Sequence, residues 1–598
     1  LKVADYVIQS LGDYGIKDIF VVYGGANGDL IDAFTRVKNT RYICTMHEQA
    51  GSFAAECYAK VTGKPAVAIA TSGPGGHNFV TGIANCYYDS TPCLFITGQI
   101  HSKFLRPDPS IRQVGFQETD IVSIVKPITK YAKMVTAPLD IKYELEKALH
   151  IAQSGRPGPV LLDLPVDVQK AEVEVDTLVG YEPVSSAYDM VKVGQQINQF
   201  FDDLYGCKRP VILVGGGVRT ANAVDSIKRF ATLLSIPCFP TWNALDIITS
   251  DLKYYGGRVG TYGGPGRNFA IQNCDLLLAI GSRISGRITG GNLKSFARAA
   301  KKYVVDVDET LLDRKLQQVP FDVNIHCDAK AFLSMILKRY SPYPVFSDWV
   351  KQVMVWRDKY DPVLPELEEQ KEFVHPYVFM KILSEELEHK DIIVADCGGN
   401  LVVASQAFET KMGQRFITSN GNSPMGFSFA GAMGAWFAAP DRNVVCLIGD
   451  GGFNMNIQEL QTYKNYGVKV KTFIMNNHIY GITKAFQETN FQGRAEACGP
   501  KGYSPPDFVK VAQAYGIRTV TMSNNAEIRE KIREVMAYDE AVVCDVNMHE
   551  YHTYDPRIFG WNTPIEDMFP YLSREEFRKN MIIEPVGDWE HPVYPDIH

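Results

Sequence analysis

Gly449-Asp450-Gly451-Gly452 carries the strongest chemical signal in the chain, directly after the apolar run Val444–Ile448. Glycines at a strand end let backbone approach a phosphate closely. An Asp carboxylate is a hard oxygen donor of the kind Mg²⁺ takes. A helix-like segment, Ile457–Tyr466, follows, then a second apolar run, Val470–Met475, ending in Asn476-Asn477. The interval from Asp450 to Asn477 is that of a strand–helix–strand unit. A right-handed crossover brings both side chains to the carboxyl ends of neighbouring parallel strands, where α/β sheets bind ligands. The pattern predicts a phosphate-bound Mg²⁺. The glycine run alone would equally suit an ordinary strand-to-helix turn; the distant asparagine makes it specific.

Two further stretches are weaker taken singly. His47-Glu48-Gln49-Ala50 follows the run Tyr42–Met46 and opens the amphipathic stretch Gln49–Lys60, where the helix dipole alone favours a glutamate. Met425, in Ser423-Pro424-Met425-Gly426, could be an ordinary core methionine.

The elements that must position these residues are strand-length apolar runs alternating with longer amphipathic stretches, the pattern of α/β folds with doubly wound parallel sheets. It recurs three times. A first block, 1–175, has Ile19–Tyr23, Tyr42–Met46, Ala66–Ala70, Cys93–Thr97 and Val160–Leu164. Tyr181–Ser186 reads as a linker. A middle block, 190–340, has Val211–Val214, Leu276–Ile280 and Tyr303–Val307, and Ser347–Lys371 reads as a helix and connector. A third block, 375–550, has Ile392–Ala395, Val444–Ile448, Val470–Met475 and Ala541–Asp545, and a Pro- and aromatic-rich tail, 551–598, follows.

Composition narrows the function classes. The chain has 598 residues, 45% hydrophobic and 22% charged, with 61 basic against 68 acidic side chains and a net charge of −7. No basic block suits nucleic acid or an anionic membrane, and no apolar run approaches a membrane span or a signal-peptide core. The 12 cysteines form no CxxC pair and sit mostly in apolar segments, as small hydrophobes do. The expectation is a cytoplasmic enzyme. His549-Glu550-Tyr551-His552 lacks the spacing of a HExxH zinc site.

Gly449–Asn477 resembles the thiamine-diphosphate signature, and His47–Ala50 resembles the opening of the pyrimidine-binding domain in the same superfamily. By that resemblance Asp450, Asn477 and the backbone carbonyl of Ile479 hold Mg²⁺. Gly449, Gly451 and Gly452 line the diphosphate, Pro74 and Asn78 lie on the cofactor, and Met425 supports its bent shape. Glu48 hydrogen-bonds N1′ of the aminopyrimidine and favours the imino tautomer that takes the C2 proton.

Over nearly the whole length the resemblance is to acetolactate synthase (acetohydroxyacid synthase) catalytic subunits. It is carried by Tyr23-Gly24-Gly25-Ala26, Ser72-Gly73-Pro74-Gly75, Phe116-Gln117-Glu118, Thr129-Lys130 and Gly155-Arg156-Pro157-Gly158-Pro159. It implies that pyruvate or a similar 2-keto acid is decarboxylated and its two-carbon unit joined to a second carbonyl. Gly25 would lie by the reacting carbonyl, with Phe116, Gln117 and Lys130 at the mouth of the site; on the residues alone, Gln117 and Lys130 equally cap loop ends. The middle block resembles the family's FAD domain through Gly215-Gly216-Gly217, Arg283, Asp306 and Asp328, with Arg156 from the first block. FAD, another nucleotide and none all stay open there. In relatives the glutamate and the GDG site come from different subunits, which implies a homodimer or homotetramer.

Three departures gather on the acceptor side. Tyr23 stands where the family has Pro. Phe486 stands where acetolactate synthases have the Trp that shapes acceptor choice. Gly260–Asn268 is longer and richer in Gly. Arg287, matching an arginine that meets an acceptor carboxylate, is retained, and Ile482 lines the same pocket. The tail resembles that of synthase-like relatives in surface-polysaccharide biosynthesis, so a nucleotide-linked ketosugar is an alternative acceptor. Simple 2-keto acid decarboxylation, a flavin oxidoreductase and a non-catalytic paralogue also stay open.

Overall fold

A computed structural model describes residues 1–184 and 187–592; Ser185 and Ser186, the end of the expected linker, lie outside the described residues. Seventeen strands form three all-parallel sheets. The first contains β1 (Asp18–Val21), β2 (Arg41–Cys44), β3 (Ala66–Ala70), β4 (Cys93–Gln99), β5 (Tyr131–Met134) and β6 (Val160–Pro165). The second contains β7 (Pro210–Val214), β8 (Cys238–Pro240), β9 (Leu276–Ile280), β10 (Lys301–Asp306) and β11 (Val323–His326). The third contains β12 (Ile392–Ala395), β13 (Arg415–Ile417), β14 (Val444–Gly449), β15 (Lys471–Asn476), β16 (Arg518–Met522) and β17 (Val542–Asn547). Five helices matter to the site: α1 (Glu48–Thr62), α2 (Ile141–Gln153), α3 (Gly399–Ala407), α4 (Phe427–Ala438) and α5 (Gly481–Asn490).

Every apolar run anticipated as a strand is one. The central strands are buried on both faces, which makes them continuous apolar stretches. Ser347–Lys371 gives a helix, Ser347–Lys359, and a short 3₁₀ turn, Pro365–Glu369.

The first and third sheets share one topology. Their strand orders, β2-β1-β3-β4-β6-β5 and β13-β12-β14-β15-β17-β16, are the same sequence of moves. In each, the chain reverses its direction of travel between the first and third strands, and a crevice opens there at the carboxyl ends. In the third sheet that crevice lies between β12 and β14, paired Val394 to Cys446. In the second sheet, ordered β11-β10-β9-β7-β8, the reversal falls between β7 and β9.

One hydrophobic core joins the first and third sheets through α1 and α4. α4 is apolar on all sides, as a helix buried between layers must be. The two helices cross closely because small residues meet: a Cβ on Gly434 would lie 1.9 Å from the Ala54 carbonyl oxygen, and one on Gly431 would lie 2.6 Å from Cys57 Sγ. Gly426, at φ +85°, turns the chain into α4.

Candidate functional site

The third sheet presents its half of the site at the β12/β14 crevice. Asp450 begins the helical turn after β14 and is 2% exposed. Burial pushes its carboxyl up to about 7, because desolvation disfavours the charged form. The groups acting on that carboxyl are Tyr503, backbone of its own loop and Asp545, and no basic side chain is among them. Of the two asparagines ending β15, Asn476 is tied into the sheet, its Nδ2 donating to Asp545 Oδ1 at 3.0 Å. Asn477 instead donates from Nδ2 to the Tyr551 carbonyl at 2.7 Å, which commits its nitrogen and leaves its amide oxygen as the ligating atom. His478 then takes a left-handed backbone, φ +62°, before buried Ile479.

The glycines are sterically required. A Cβ on Gly451 would lie 2.4 Å from the Tyr480 ring and 2.9 Å from Met425 Cε, and one on Gly452 would lie 2.3 Å from Asp396 Oδ2. Met425 therefore packs directly on the GDG turn. Buried Asp396 fixes the segment behind it, accepting from Gly426 N at 3.0 Å and Ser428 N at 2.8 Å. A buried carboxylate lacking a cation, an amide oxygen and a carbonyl form a hard-oxygen donor set, which fits Mg²⁺. Gly449 leaves room at the strand end, where a built Cβ would meet only Asn400 Nδ2, at 3.3 Å. Asn400, whose Oδ1 is buried without a partner, went unnoticed in the sequence.

The first sheet assembles the other half. Glu48 opens α1 behind His47, whose side chain caps the helix by accepting from Gln49 N. Asn78 Nδ2 donates to Glu48 Oε2 at 2.9 Å, so Asn78 reaches the site through the glutamate. Asn78 ends the short helix Pro74–Asn78, and Glu48 Oε1 would lie 3.4 Å from a Cβ on Gly75. Gln117, itself at φ +62°, packs on Gly73 and so borders this group. Gly25 faces open space, whereas a Cβ on Gly24 would lie 2.5 Å from Thr71 Cβ. Tyr23 and Phe116 are 66% and 86% exposed.

Lys130 is bonded within its own chain. Its Nζ donates to the carbonyls of Ile151 and, at 2.6 Å, Ser154, capping the C-terminal end of α2. Lys130 also precedes β5 and so lies at the amino edge of the sheet, opposite Glu48. Burial lowers its pKa to about 8. The loop-capping role is the one the structure adopts.

Within one chain the two halves do not meet. Gly434 faces Ala54, Gly431 faces Cys57, and Lys60 Nζ lies 5.6 Å from the Phe427 ring, so α1 and α4 are antiparallel. Glu48 is twelve residues before Lys60, or roughly 18 Å along the helix at ~1.5 Å per residue. Met425 sits at the opposite end from Glu48.

The second sheet's reversal point opens into a cleft of about 920 Å³ shared with the first and third sheets. Arg156, Gly216, Gly217, Arg283, Asp306 and Asp328 all line it, as does Arg287. Gly215 does not: a Cβ there would lie 2.1 Å from the Gly281 carbonyl oxygen, so it serves strand packing. Arg156 donates from Nη1 to Asp308 at 3.0 Å, and Asp328 caps the helix Ala329–Lys338. Sequence reading missed the buried Lys60–Glu56–Asp89 ion cluster on the wall and Trp242, on whose ring the Arg287 guanidinium lies at 4.8 Å. The i,i+4 pairing of Glu56 with Lys60 was the available signal.

On the acceptor side, α5 carries Ile482, whose Cγ2 would touch a Cβ on Gly398 at 3.7 Å, and Phe486, 47% exposed.

Comparison with known proteins agrees with this geometry. Residues 1–124 match the family described as thiamine pyrophosphate enzyme, N-terminal TPP binding domain. Residues 197–336 match its central domain and 396–546 its C-terminal TPP binding domain. The probable acetolactate synthase large subunit of Methanocaldococcus jannaschii is 34% identical over 564 residues, covering 91% of this chain and 92% of its own. The acetolactate synthase large subunit of Lactococcus lactis is 33% identical, with 90% and 91% covered. The Escherichia coli isozyme 2 large subunit is 31% identical, with 93% and 97% covered.

Proposed function

We propose, for a chain that belongs to the thiamine pyrophosphate enzyme family together with acetolactate synthase large subunits, that it decarboxylates pyruvate or a close 2-keto acid and joins the two-carbon unit to a second carbonyl. The observation that carries the reading is the buried Asp450 carboxyl without a basic partner, with Asn477, at the end of the next strand, whose amide nitrogen is already committed to the Tyr551 carbonyl. Asp450, Asn477 and the Ile479 carbonyl would hold Mg²⁺, and the Gly449–Gly452 turn the diphosphate it bridges. Bound there, thiamine diphosphate supplies the electron sink for cleaving the bond to the carboxyl group.

The chain's own residues do the rest. Glu48, oriented by Asn78, would hydrogen-bond N1′ of the aminopyrimidine and hold or move its proton. Met425, braced by Asp396, would pack against the bound cofactor. Gly25 leaves room for the reacting carbonyl, and the Gln117 amide hydrogen-bonds to its oxygen. Arg287 meets an acceptor carboxylate beside Ile482 and Phe486.

The separation of Glu48 from Asp450 within a chain supports a homodimer, or a homotetramer of such pairs, with each site shared. The cleft's glycine turns, arginines and acids suit a dinucleotide pyrophosphate and ribose, and its volume is at the upper end for small-molecule sites; FAD is the ligand we assign. No described helix is long and apolar enough to cross a membrane, and nine of the twelve cysteines are buried as free thiols; we place the enzyme in the cytoplasm.

The test is product analysis with pyruvate, thiamine diphosphate and Mg²⁺. Acetolactate is expected. Acetaldehyde alone would make the chain a decarboxylase, and no affinity for the coenzyme would end the reading. Flavin absorbance in the heat-released supernatant tests the cleft.

A further inference from the structure

Tyr503 lies outside every motif of the sequence, in the loop between α5 and the helix Phe508–Ala514, yet it reaches the centre of the site. Its ring is 9% exposed. Its hydroxyl donates to Asp450 Oδ2 at 3.0 Å and accepts from Asn454 Nδ2 at 3.4 Å. An amide nitrogen only donates, so the single hydroxyl proton is directed at the carboxylate. The ring also stacks on Tyr480, centroids 4.0 Å apart and planes 21° apart. Tyr480 directly follows Ile479, and its N donates to the Cys498 carbonyl at 2.9 Å, which ties the same loop to the ligand-bearing turn.

We infer that Tyr503 is a positioning residue for the metal. It pins one oxygen of Asp450 so that the other is presented to the cation, and through the stack on Tyr480 it fixes the turn that offers the Ile479 carbonyl. Partners of this kind orient ligating groups, and losing one typically costs about 10–100-fold in metal affinity. The inference rests on the metal assignment proposed above.

Mn²⁺ binding to the full-length protein in the presence of thiamine diphosphate, read by electron paramagnetic resonance of the free ion, tests both levels separately. If wild type binds no Mn²⁺, or Asp450→Asn binds as well as wild type, the metal assignment itself fails. Granted that assignment, Tyr503→Phe keeps the ring and its stack while removing the hydroxyl. It is expected to weaken Mn²⁺ binding about 10–100-fold and to raise the Mg²⁺ activation constant to match, with kcat at saturating Mg²⁺ within about threefold of wild type. Unchanged metal affinity would overturn the inference. Tighter binding would overturn it too, showing that the hydroxyl competes with the cation. Tyr503→Leu, which also removes the stack, is expected to weaken binding further than Tyr503→Phe; equal affinities in the two variants would remove the part assigned to Tyr480.

Discussion

Mixing two inactive variants should restore activity. Glu48→Gln removes the carboxyl we assign to the proton at N1′, and a positioned acid–base group is worth about 10²–10⁴ in rate. Asp450→Asn removes the anionic ligand we assign to the metal. The antiparallel crossing of α1 and α4, fixed where Gly434 meets Ala54 and Gly431 meets Cys57, holds Glu48 roughly 18 Å from the Met425 end of α4. A hydrogen bond needs about 3 Å. On the proposed sharing, each working site would take its Glu48 from one chain and its Asp450 from another. When the variants are co-expressed, random pairing makes about half the dimers mixed, and each mixed dimer has one intact site of two. Activity of about one quarter of wild type is expected per total protein, whether or not dimers pair further into tetramers. The assay is acetolactate formation by the co-purified mixture against each variant alone. A mixture no more active than its components would show that Glu48 serves the Asp450 of its own chain, and the separation argued from the helix crossing would be wrong.

Two other perturbations have clear signs. Asp396→Ala removes two buried bonds from a charged acceptor, to Gly426 N and Ser428 N, each worth about 1.5–3 kcal/mol; a stability loss of roughly 3 kcal/mol and a kcat fall of at least about tenfold are expected, and full kcat at saturating cofactor would refute the bracing of Met425. Asp163 is fully buried, taking bonds from Thr97 Oγ1 at 2.7 Å and Gln99 Nε2 at 2.9 Å, and burial pushes its carboxyl up to about 7. The unfolded value is about 3.9, so between about pH 4 and pH 7 the folded chain binds more protons and stability falls as pH rises. Asp163→Asn removes that slope, and its advantage over wild type in denaturant midpoint should grow from pH 5 to pH 8; parallel pH dependences would refute the assignment.

What the sequence revealed follows burial. All twelve strands read from it are continuous apolar runs, eleven of them in sheet interiors. The five it missed, β5, β8, β11, β13 and β16, are edge strands, three to five residues long. Short edge strands give little apolar signal: Arg518–Met522 mixes exposed and buried residues, and Cys238–Pro240 is only three residues long. The half of the site we assign to the metal stood out in the sequence because such chemistry requires fixed residue types at a fixed interval. Lys130 and Gly215 also serve the fold, because lysines cap helices, and glycines clear strand crossings, wherever a fold demands it. Tyr503 gave no signal: its partners Asp450 and Tyr480 are joined to it only by the path of an irregular loop.

Two of the acceptor-side departures and the tail form one structure, from which Tyr23 stands apart. The Phe486 helix, the glycine-rich segment and the tail were three separate observations in the sequence, and the tail bonds the other two together. At its start the Tyr551 carbonyl takes the Asn477 amide. His552 Nε2 then meets Glu488 at 2.9 Å, and Arg557 Nη2 donates to Thr489 Oγ1 at 3.2 Å, which clamps α5. A few residues on, Ile558 N donates to the Thr261 carbonyl at 3.3 Å, and the Ile565 carbonyl accepts from Asn268 Nδ2 at 2.8 Å. Glu566, fully buried, accepts from Gln272 Nε2 at 2.6 Å and pairs with Arg298 at 2.7 Å. These bonds make the wall around Ile482 and Phe486 a single braced unit, with one end on Asn477 and the other in the core of the second sheet. Residues that share such a network do not act additively. If Ile482 and Phe486 line the acceptor pocket as we propose, acceptor choice belongs to the braced wall as a whole, and Phe486→Trp alone is expected to leave it unchanged; a changed product on that single substitution would refute the coupling.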